Sequence, residues 1–528
     1  MFLHDTLVNS TQKYPKKCAI KYGSQKLTYT ELDSLSNRFA QGLIGLHFKR
    51  NDIAALYLES SVEYAIALYG VLKAGGTFVP VNPQVKPSQL AYIASDCQIS
   101  VIITDVRHAK HLGKNNFPVQ SLQHIIMTDY SSIGFDIIQQ KDSPLQLSKT
   151  PYAFHVFENI ITTTESDTAP ESCSIDIDLA SLIYTSGSTS NPKGVMLTHQ
   201  NMVCAANSII TYLENTPGDI ILNCLPFSFD YGLYQLLMSV TFGGTIVLER
   251  GFLFPSKIVD QLKKEHITGF PLVPAFSAVL MRMKDLKENE FPDLRYITNT
   301  GQALPENHIS WLRHIFPKTK IYSMYGLTEC KRVSYLPPDK IDQKPLSVGI
   351  AMPNTEVWLE DDEGKRIDTP GVIGELVVRG ANVMKGYWNN YKATQKVLKP
   401  GILPGESVLK TGDYFKIDDD GYLYFINRKD DMIKSGGERI SPKEIENVLY
   451  RMSDIVEAAV VPMPDEILGN AIKAFVALKK DSHVSVKDIK KHCSLNLESF
   501  KVPKEIAVLN ELPKSRNGKI LKTRLVTM

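Results

Sequence analysis

The stretch that most constrains this chain is Tyr184-Thr-Ser-Gly-Ser-Thr-Ser-Asn-Pro-Lys-Gly-Val195. Nowhere else are small hydroxyls, glycine and a cation packed so densely. The apolar run 179–183 before it reads as a buried strand, and 196–203 after it starts a helix-like pattern. A Gly/Ser/Thr loop between strand and helix can wrap backbone N–H groups and hydroxyls around phosphate oxygens, and Lys193 adds positive charge. A solvated turn is the plain alternative, but it does not require this composition at this position. A Walker loop needs Gly-Lys followed directly by Ser or Thr. Here Lys193 follows Pro192 and precedes Gly194, which argues against an ordinary P-loop NTPase.

A chain of 528 residues exceeds one hydrophobic core, so two or more domains are expected. Residues 1–150 alternate helix and strand: an amphipathic helix to Leu43 capped by Thr28 or Thr30, a strand at 53–58, a helix at 62–72 and a strand at 78–81. Such alternation predicts an α/β fold with parallel sheets and flanking helices. The last hundred residues read as a small α+β domain, with helices at 442–452 and 485–497 and strands at 455–462, 472–478 and 504–509. Ser441, Pro442 and Glu444 there have the pattern of a capping box.

Net charge is +2, which gives no electrostatic reason for nucleic acid or an anionic membrane as partner. No run of about 18 apolar residues predicts a membrane span. The seven cysteines are odd in number, widely spaced and without Cys-x-x-Cys, so neither a disulfide framework nor a zinc site is expected. The start, Met1-Phe-Leu-His-Asp-Thr, lacks a signal peptide's features, and a cytoplasmic enzyme is the expectation.

Further motifs fall at turns after strands. Asn223-Cys-Leu-Pro-Phe-Ser-Phe-Asp-Tyr-Gly-Leu233 sets Phe229 and Asp230 at a strand end, where α/β enzymes bind ligands. Asp230 reads equally as the N-cap of a helix at 233–240. In Arg295-Tyr-Ile-Thr-Asn-Thr-Gly-Gln-Ala-Leu-Pro305, Gly301 lets a flat heterocycle approach the backbone. Ile321-Tyr-Ser-Met-Tyr-Gly-Leu-Thr-Glu-Cys330 offers an aromatic face at Tyr325, a turn at Gly326, a hydroxyl at Thr328 and a carboxylate at Glu329. That set suits stacking on adenine, contacting a phosphate and holding Mg²⁺. Thr411-Gly-Asp413 places a carboxylate at a strand edge, able to take two ribose hydroxyls, ahead of a hairpin turning at Asp420-Gly421. The tail Pro513-Lys-Ser-Arg-Asn-Gly-Lys-Ile-Leu-Lys-Thr-Arg524 carries cations on a turn, of which Lys519 stands out.

In this order, 184–195, 225–232, 325–329, 411–413 with 428–446, and 513–519 resemble the motifs of the adenylate-forming superfamily: acyl-CoA synthetases, amino-acid adenylation enzymes and luciferases. The resemblance spans nearly the whole chain. It implies a large N-terminal domain at 1–427, a mobile C-terminal domain at 428–528 and a hinge at Asp430. It implies ATP and Mg²⁺ as cofactors. Thr185, Ser186, Gly187, Ser188, Thr189 and Lys193 would belong to the loop over the phosphates. Gly301, Gln302 and Ala303 would line the adenine on which Tyr325 stacks, beside Gly326. Thr328 would contact the α-phosphate, Glu329 would bind Mg²⁺, Asp413 and Arg428 would hold the ribose, and Lys519 would promote adenylation. Lys434, Gly436 and Gly437 would lie on the thiol side.

The implied chemistry is attack of a small carboxylic acid on the α-phosphorus of ATP, release of pyrophosphate, then attack of a thiol on the acyl-adenylate. In the resembling pattern, Phe229-Asp230 is where amino-acid-activating members pair a carboxylate with the substrate ammonium, yet Phe-Asp-Tyr-Gly-Leu also occurs in acyl-CoA ligases. The reading leans to CoA as acceptor, with a peptidyl carrier protein's phosphopantetheine as the alternative. The chain ends nine residues after Lys519, so a free-standing enzyme is expected. A regulatory protein that keeps the fold without turnover would show missing motif residues, and none is missing.

Overall fold

The computed structural model describes residues 1–113, 117, 119–128, 151–171, 174–185, 191–252, 254–283, 286–428, 433–435, 438–465, 469–515 and 518–528. The chain forms two compact units. One comprises Met1–Leu253, Thr328–Lys331 and Ala381–Lys396; the other comprises Phe254–Leu327, Arg332–Gly380 and Val397–Met528. Both are mixed α/β, as the alternation of patterns predicts. Among the described residues no helix is long and apolar enough to cross a membrane.

The first unit is built on a sheet with strand order Gly386–Tyr387, Lys193–Thr198, Leu179–Thr185, Thr77–Pro80, Ile53–Tyr57, Val101–Asp105, His124–Thr128, Ala153–Val156. From Leu179–Thr185 to Ala153–Val156 the neighbours run parallel. Ile53–Tyr57 is buried along its whole length, as expected where both faces of a parallel sheet are covered. Helix Tyr29–Gly45 is capped by Thr28 rather than Thr30, in a capping box with Glu31. It is bound to helix Val62–Lys73 by the buried Lys73 ammonium, 2.6 Å from Asp33 Oδ1, 2.8 Å from Ser36 Oγ and 2.7 Å from Asn37 Oδ1. A buried cation is tolerated there because all three contacts accept its protons.

The segment after the Gly/Ser/Thr loop departs from expectation. Residues 193–198 are a strand, and the helix starts only at His199. Lys193–Thr198 returns antiparallel along Leu179–Thr185, with Tyr184 opposite Gly194 and Thr185 opposite Lys193. The helix-like reading of 196–203 began the helix at Met196. The backbone of Leu179–Thr185 instead captures Met196, Leu197 and Thr198 as the end of a strand. Thr198 then caps helix His199–Leu213 in a box with Asn201. The loop therefore joins two antiparallel strands, and no helix N-terminus follows it directly.

In the second unit, Gly269–Leu272, Tyr296–Asn299 and Lys320–Tyr325 run parallel, with Leu272 opposite Asn299 and Asn299 opposite Ser323. Their C-terminal ends therefore open onto one edge, where crevices form in α/β sheets. A further antiparallel sheet contains Gly374–Gly380, Ser407–Ile417 and Leu423–Arg428. The hairpin at Asp420-Gly421 forms as predicted, with Gly421 at φ +83°. Beyond it, helices Pro442–Tyr450 and Val486–Asn496 pack on strands Ile455–Asp465, Gly469–Leu478 and Glu505–Leu509, around Ile445, Leu449, Ile472 and Ile489. Helix Pro442–Tyr450 starts where expected, but the capping box does not form. The Ser441 hydroxyl donates to the Ile426 carbonyl at 2.7 Å, and Glu444 is taken by Lys501 at 2.8 Å.

Candidate active site

In the first unit the predicted residues gather near the hairpin base. Thr185 ends one strand and Lys193 begins the next, directly opposite. The Tyr184 hydroxyl donates to Asp96 at 2.5 Å, and burial, with Cys97 and Asp96 beside it, pushes the phenol's pKa up. Trp388 anchors the other side: its backbone N–H donates to the Gly194 carbonyl at 2.7 Å and its indole to the Asp96 carbonyl at 3.0 Å. A Cβ at Gly194 would lie 3.0 Å from the Tyr184 ring and 3.3 Å from Trp388 Cβ, so a larger residue there would push these aromatics apart by a few tenths of an ångström.

Glu329 is held by the strand Gly386–Tyr387. The Tyr387 hydroxyl donates to Glu329 Oε1 at 2.8 Å, and Lys193 Nζ lies 5.2 Å from the centroid of the same ring. One phenol thus lies between a cation and a carboxylate. Two bonds to backbone carbonyls also fix the segment, one from the Met384 N–H to Glu329 and one from the Asn382 side-chain Nδ2 to Cys330, both at 2.8 Å. Thr328, next to Glu329, is half-buried. Gly386 has φ +134°, and a Cβ there would meet Thr394 Cγ2 at 2.7 Å.

Phe229 and Asp230 stand at the start of helix Asp230–Phe242. Phe229 is the N-cap and Asp230 the first helical residue, so Asp230 is not the cap, and no side-chain capping bond forms. Its carboxylate favours the helix N-terminus electrostatically. It also faces Lys331 Nζ at 3.9 Å, and that lysine is buried over the Tyr234 ring at 5.6 Å.

In the second unit the three parallel strand ends carry the other set. Gly301 adopts φ +85° after Tyr296–Asn299, and Asn299 Nδ2 closes the turn on the Gln302 carbonyl at 2.9 Å, with Ala303 following. Arg332, buried, donates to the Thr300 hydroxyl at 3.0 Å. Tyr325 ends its strand ahead of Gly326. Its ring packs on Phe415 at 4.8 Å and Phe425 at 6.3 Å, and its hydroxyl donates to Asp413 Oδ2 at 2.6 Å. Asp413 lies inside Ser407–Ile417, paired with Arg428, rather than at a strand edge. Register shifts on both sides of it twist the strand and re-aim the side chain. The Arg428 Nε stands 3.3 Å from Asp413 Oδ1, and the Thr411 hydroxyl accepts the Asp413 N–H at 3.2 Å.

Lys519 is exposed on a turn whose neighbour, Gly518, packs against Val273 and Ala275. Val273 directly follows strand Gly269–Leu272, so the Lys519 turn reaches the same strand-end edge as Gly301 and Tyr325. Lys434 lies in the strand Ile433–Ser435. Ser186, Gly187, Ser188, Thr189, Asp430, Gly436 and Gly437 lie outside the described residues.

Sequence reasoning missed Tyr387, Lys331 and Arg332. A glycine followed by two aromatics in Lys385-Gly-Tyr-Trp388 is a usable signal for the first. A lone Lys-Arg pair gives none, because such pairs are ordinarily solvated.

Among the described residues no three His, Cys, Asp or Glu side chains cluster as a metal cage. A single carboxylate such as Glu329 is what Mg²⁺ uses when phosphate oxygens and water complete its shell.

The chain is similar to known proteins along nearly its whole length. Residues 7–388 match the model for AMP-binding enzymes, and 444–519 match that for the AMP-binding enzyme C-terminal domain. A long-chain-fatty-acid–CoA ligase of Bacillus subtilis is 31% identical over 99% of this chain and 94% of its own. The crystal structure of an anthranilate CoA ligase in complex with anthranoyl-AMP superposes with a TM-score of 0.87 at 25% identity, covering 100% of this chain and 97% of that one. An o-succinylbenzoate CoA synthetase from Bacillus subtilis, in complex with its acyl-adenylate intermediate, gives 0.81 at 27% identity over 98% and 97%. The chain belongs to the AMP-binding enzyme family, within the adenylate-forming superfamily of ATP-dependent acid–thiol ligases.

Proposed function

We propose that the acid is a long-chain fatty acid and that the acceptor is the thiol of CoA. Chain length follows the similarity to the Bacillus subtilis ligase. The observation that carries the choice of a simple acid over an amino acid is the pairing of Asp230 with Lys331 at 3.9 Å. An aspartate that recognises a substrate ammonium needs its charge for that ammonium. Here a buried lysine of the chain itself already meets it, so an amine-free acid leaves no charge uncompensated.

In this reading the turn at Gly301, Gln302 and Ala303 and the ring of Tyr325, beside Gly326, receive adenine. Asp413, oriented by Tyr325 and Arg428, receives the ribose hydroxyls. Thr185, Ser186, Gly187, Ser188, Thr189 and Lys193 close over the β- and γ-phosphates, and Thr328 contacts the α-phosphate. Glu329, oriented by Tyr387, holds Mg²⁺, which supplies charge neutralisation between two anions when bound. The substrate carboxylate attacks the α-phosphorus, the bond to the bridging oxygen breaks, and pyrophosphate departs. Lys519 supplies a preorganised cation to the charge that develops, a contribution of about 3 kcal/mol for one such group. The thiol then displaces AMP from the acyl carbon. Lys434, Gly436 and Gly437 serve that step. The C-terminal domain at 428–528 turns about Asp430 relative to 1–427, and the enzyme works in the cytoplasm.

The test is ATP–pyrophosphate exchange across fatty, aryl and amino acids, followed by thioester formation with CoA. Exchange strongest with long-chain acids and a CoA thioester as product are expected. Exchange confined to amino acids, or transfer only to a carrier protein, would overturn the reading.

A further inference from the structure

The helix Glu306–Ile315 of the second unit begins at the strand-end edge and presents two side chains to strand Ile455–Asp465. Asn307 Nδ2 donates to the Ile455 carbonyl at 3.1 Å, and His308 Nε2 lies 3.3 Å from the Val456 carbonyl. The other ring nitrogen, Nδ1, is 2.8 Å from the hydroxyl of Ser277 on helix Pro274–Leu280. The ring meets Tyr450 edge-on with centroids 6.1 Å apart. His308 is 1% exposed, and burial lowers its pKa to about 4. The imidazole is therefore neutral near pH 7, with Nε2–H donating to Val456 and Nδ1 facing the Ser277 hydroxyl, whose single proton is shared between Nδ1 and the Pro274 carbonyl 2.9 Å away.

The contacts continue from Val456 to Lys519. Glu457, next along the strand and buried, accepts the Leu512 N–H at 3.0 Å and pairs with Lys514 at 2.6 Å. Lys514 bridges to Ile520, and the Ser515 N–H donates to the Lys519 carbonyl at 2.7 Å. The Lys519 N–H donates back to the Ser515 hydroxyl at 3.2 Å. Gly518, at φ +74°, lies so close to helix Pro274–Leu280 that a Cβ would come within 3.1 Å of Ala275. Ala275 and Ser277 share that helix, and Ser277 returns to His308. The circuit His308–Val456–Glu457–Lys514–Ser515–Lys519–Gly518–Ala275–Ser277 is closed.

We propose that His308, seconded by Asn307, is a positioning residue that fixes the Lys519 turn at the strand ends where ATP is activated. This rests on the reading of Lys519 as the cation of the adenylation step. His308 touches neither ATP nor the acid. It acts by tying Ile455–Asp465, which carries the clamp on the Lys519 turn, to the helix against which that turn packs. A catalytic group displaced by about 1 Å loses on the order of 100-fold in rate, so a positioning contact has a measurable effect.

The experiment uses the full chain and separates the half-reactions. His308→Leu keeps the volume and removes both hydrogen bonds. Pyrophosphate exchange should fall about 10- to 100-fold. Thioester formation from separately prepared acyl-adenylate and CoA should stay within about twofold, because that step does not need Lys519 in place. His308→Gln, whose amide can donate to the Val456 carbonyl, should recover much of the exchange. Should His308→Leu fail to fold, the half-buried Asn307→Ala provides the same comparison with a smaller expected loss. In a Lys519→Ala background, His308→Leu should reduce exchange no further. Equal loss in both half-reactions, unchanged exchange, or a full additional loss on top of Lys519→Ala would each overturn the proposal. Full activity of Lys519→Ala by itself would instead remove the assignment of Lys519, and the proposal with it.

Discussion

Asp413 in the second unit and Asp230 in the first are both carboxylates assigned to ligands, and the protein holds them in different ways. Asp413 is 3% exposed, accepts the Tyr325 hydroxyl at 2.6 Å and stands 3.3 Å from Arg428 Nε. Asp230 faces Lys331 at 3.9 Å, beyond hydrogen-bond length. Directional bonds fix where the Asp413 oxygens point. A Coulombic contact balances the charge of Asp230 without fixing its angle. The difference suits the ligands proposed for them. A ribose is the same in every turnover and rewards fixed geometry, whereas an acid pocket has mainly to reject the wrong charge.

The strongest way to break this comparison is Asp413→Ala. It removes the acceptor proposed for the ribose hydroxyls and the partner of Tyr325 and Arg428. Each hydrogen bond to a charged group contributes about 1.5–3 kcal/mol, so kcat/KM for ATP in the exchange assay should fall by more than about 100-fold. A loss below tenfold would show that Asp413 does not touch the nucleotide.

Lys331→Met comes next, and it sharpens the other half. Breaking a fully buried pair by removing one partner costs about 3–5 kcal/mol, and the partial exposure of Asp230 reduces this to roughly 1–3 kcal/mol. Urea unfolding should register that loss, and Asp230→Asn added to Lys331→Met should restore much of it. The single variant should also raise exchange with amino acids relative to fatty acids, since Asp230 is then available to an ammonium. Additive stability losses with unchanged selectivity would remove Lys331 from the acid site.

The same pair shows what the sequence could reveal. The strand Thr245–Leu248 and the hairpin at Gly421 follow from apolar runs and turn residues, both local signals. The Thr411-Gly-Asp413 motif was legible because Gly412 at φ +72° and the Thr411 hydroxyl shape the site within three residues. Lys331 was not legible, because its partner is a hundred residues away and a lysine in isolation predicts solvent. The helix-like reading of 196–203 started three residues too early for a related reason. A short apolar run does not by itself separate strand from helix, and pairing of 193–198 with Leu179–Thr185 decides the matter.

The finest probe is Tyr325→Phe, which leaves the ring stacked on Phe415 and Phe425 and deletes one hydroxyl. If Asp413 is a pre-aimed acceptor, losing its 2.6 Å donor frees the carboxylate to rotate between turnovers. Such a bond to a charged group contributes about 1.5–3 kcal/mol, of which the nucleotide's own hydroxyls recover part on binding. The expected result is a rise of about three- to tenfold in KM for ATP with little change in kcat, because ground and transition states share the ribose contact. Adding Asp413→Asn should then abolish the separate effect of Tyr325→Phe, the two acting through one contact. A fall in kcat with KM unchanged would instead place the Tyr325 hydroxyl at the reacting phosphate, and would make the Asp413 geometry a matter of packing.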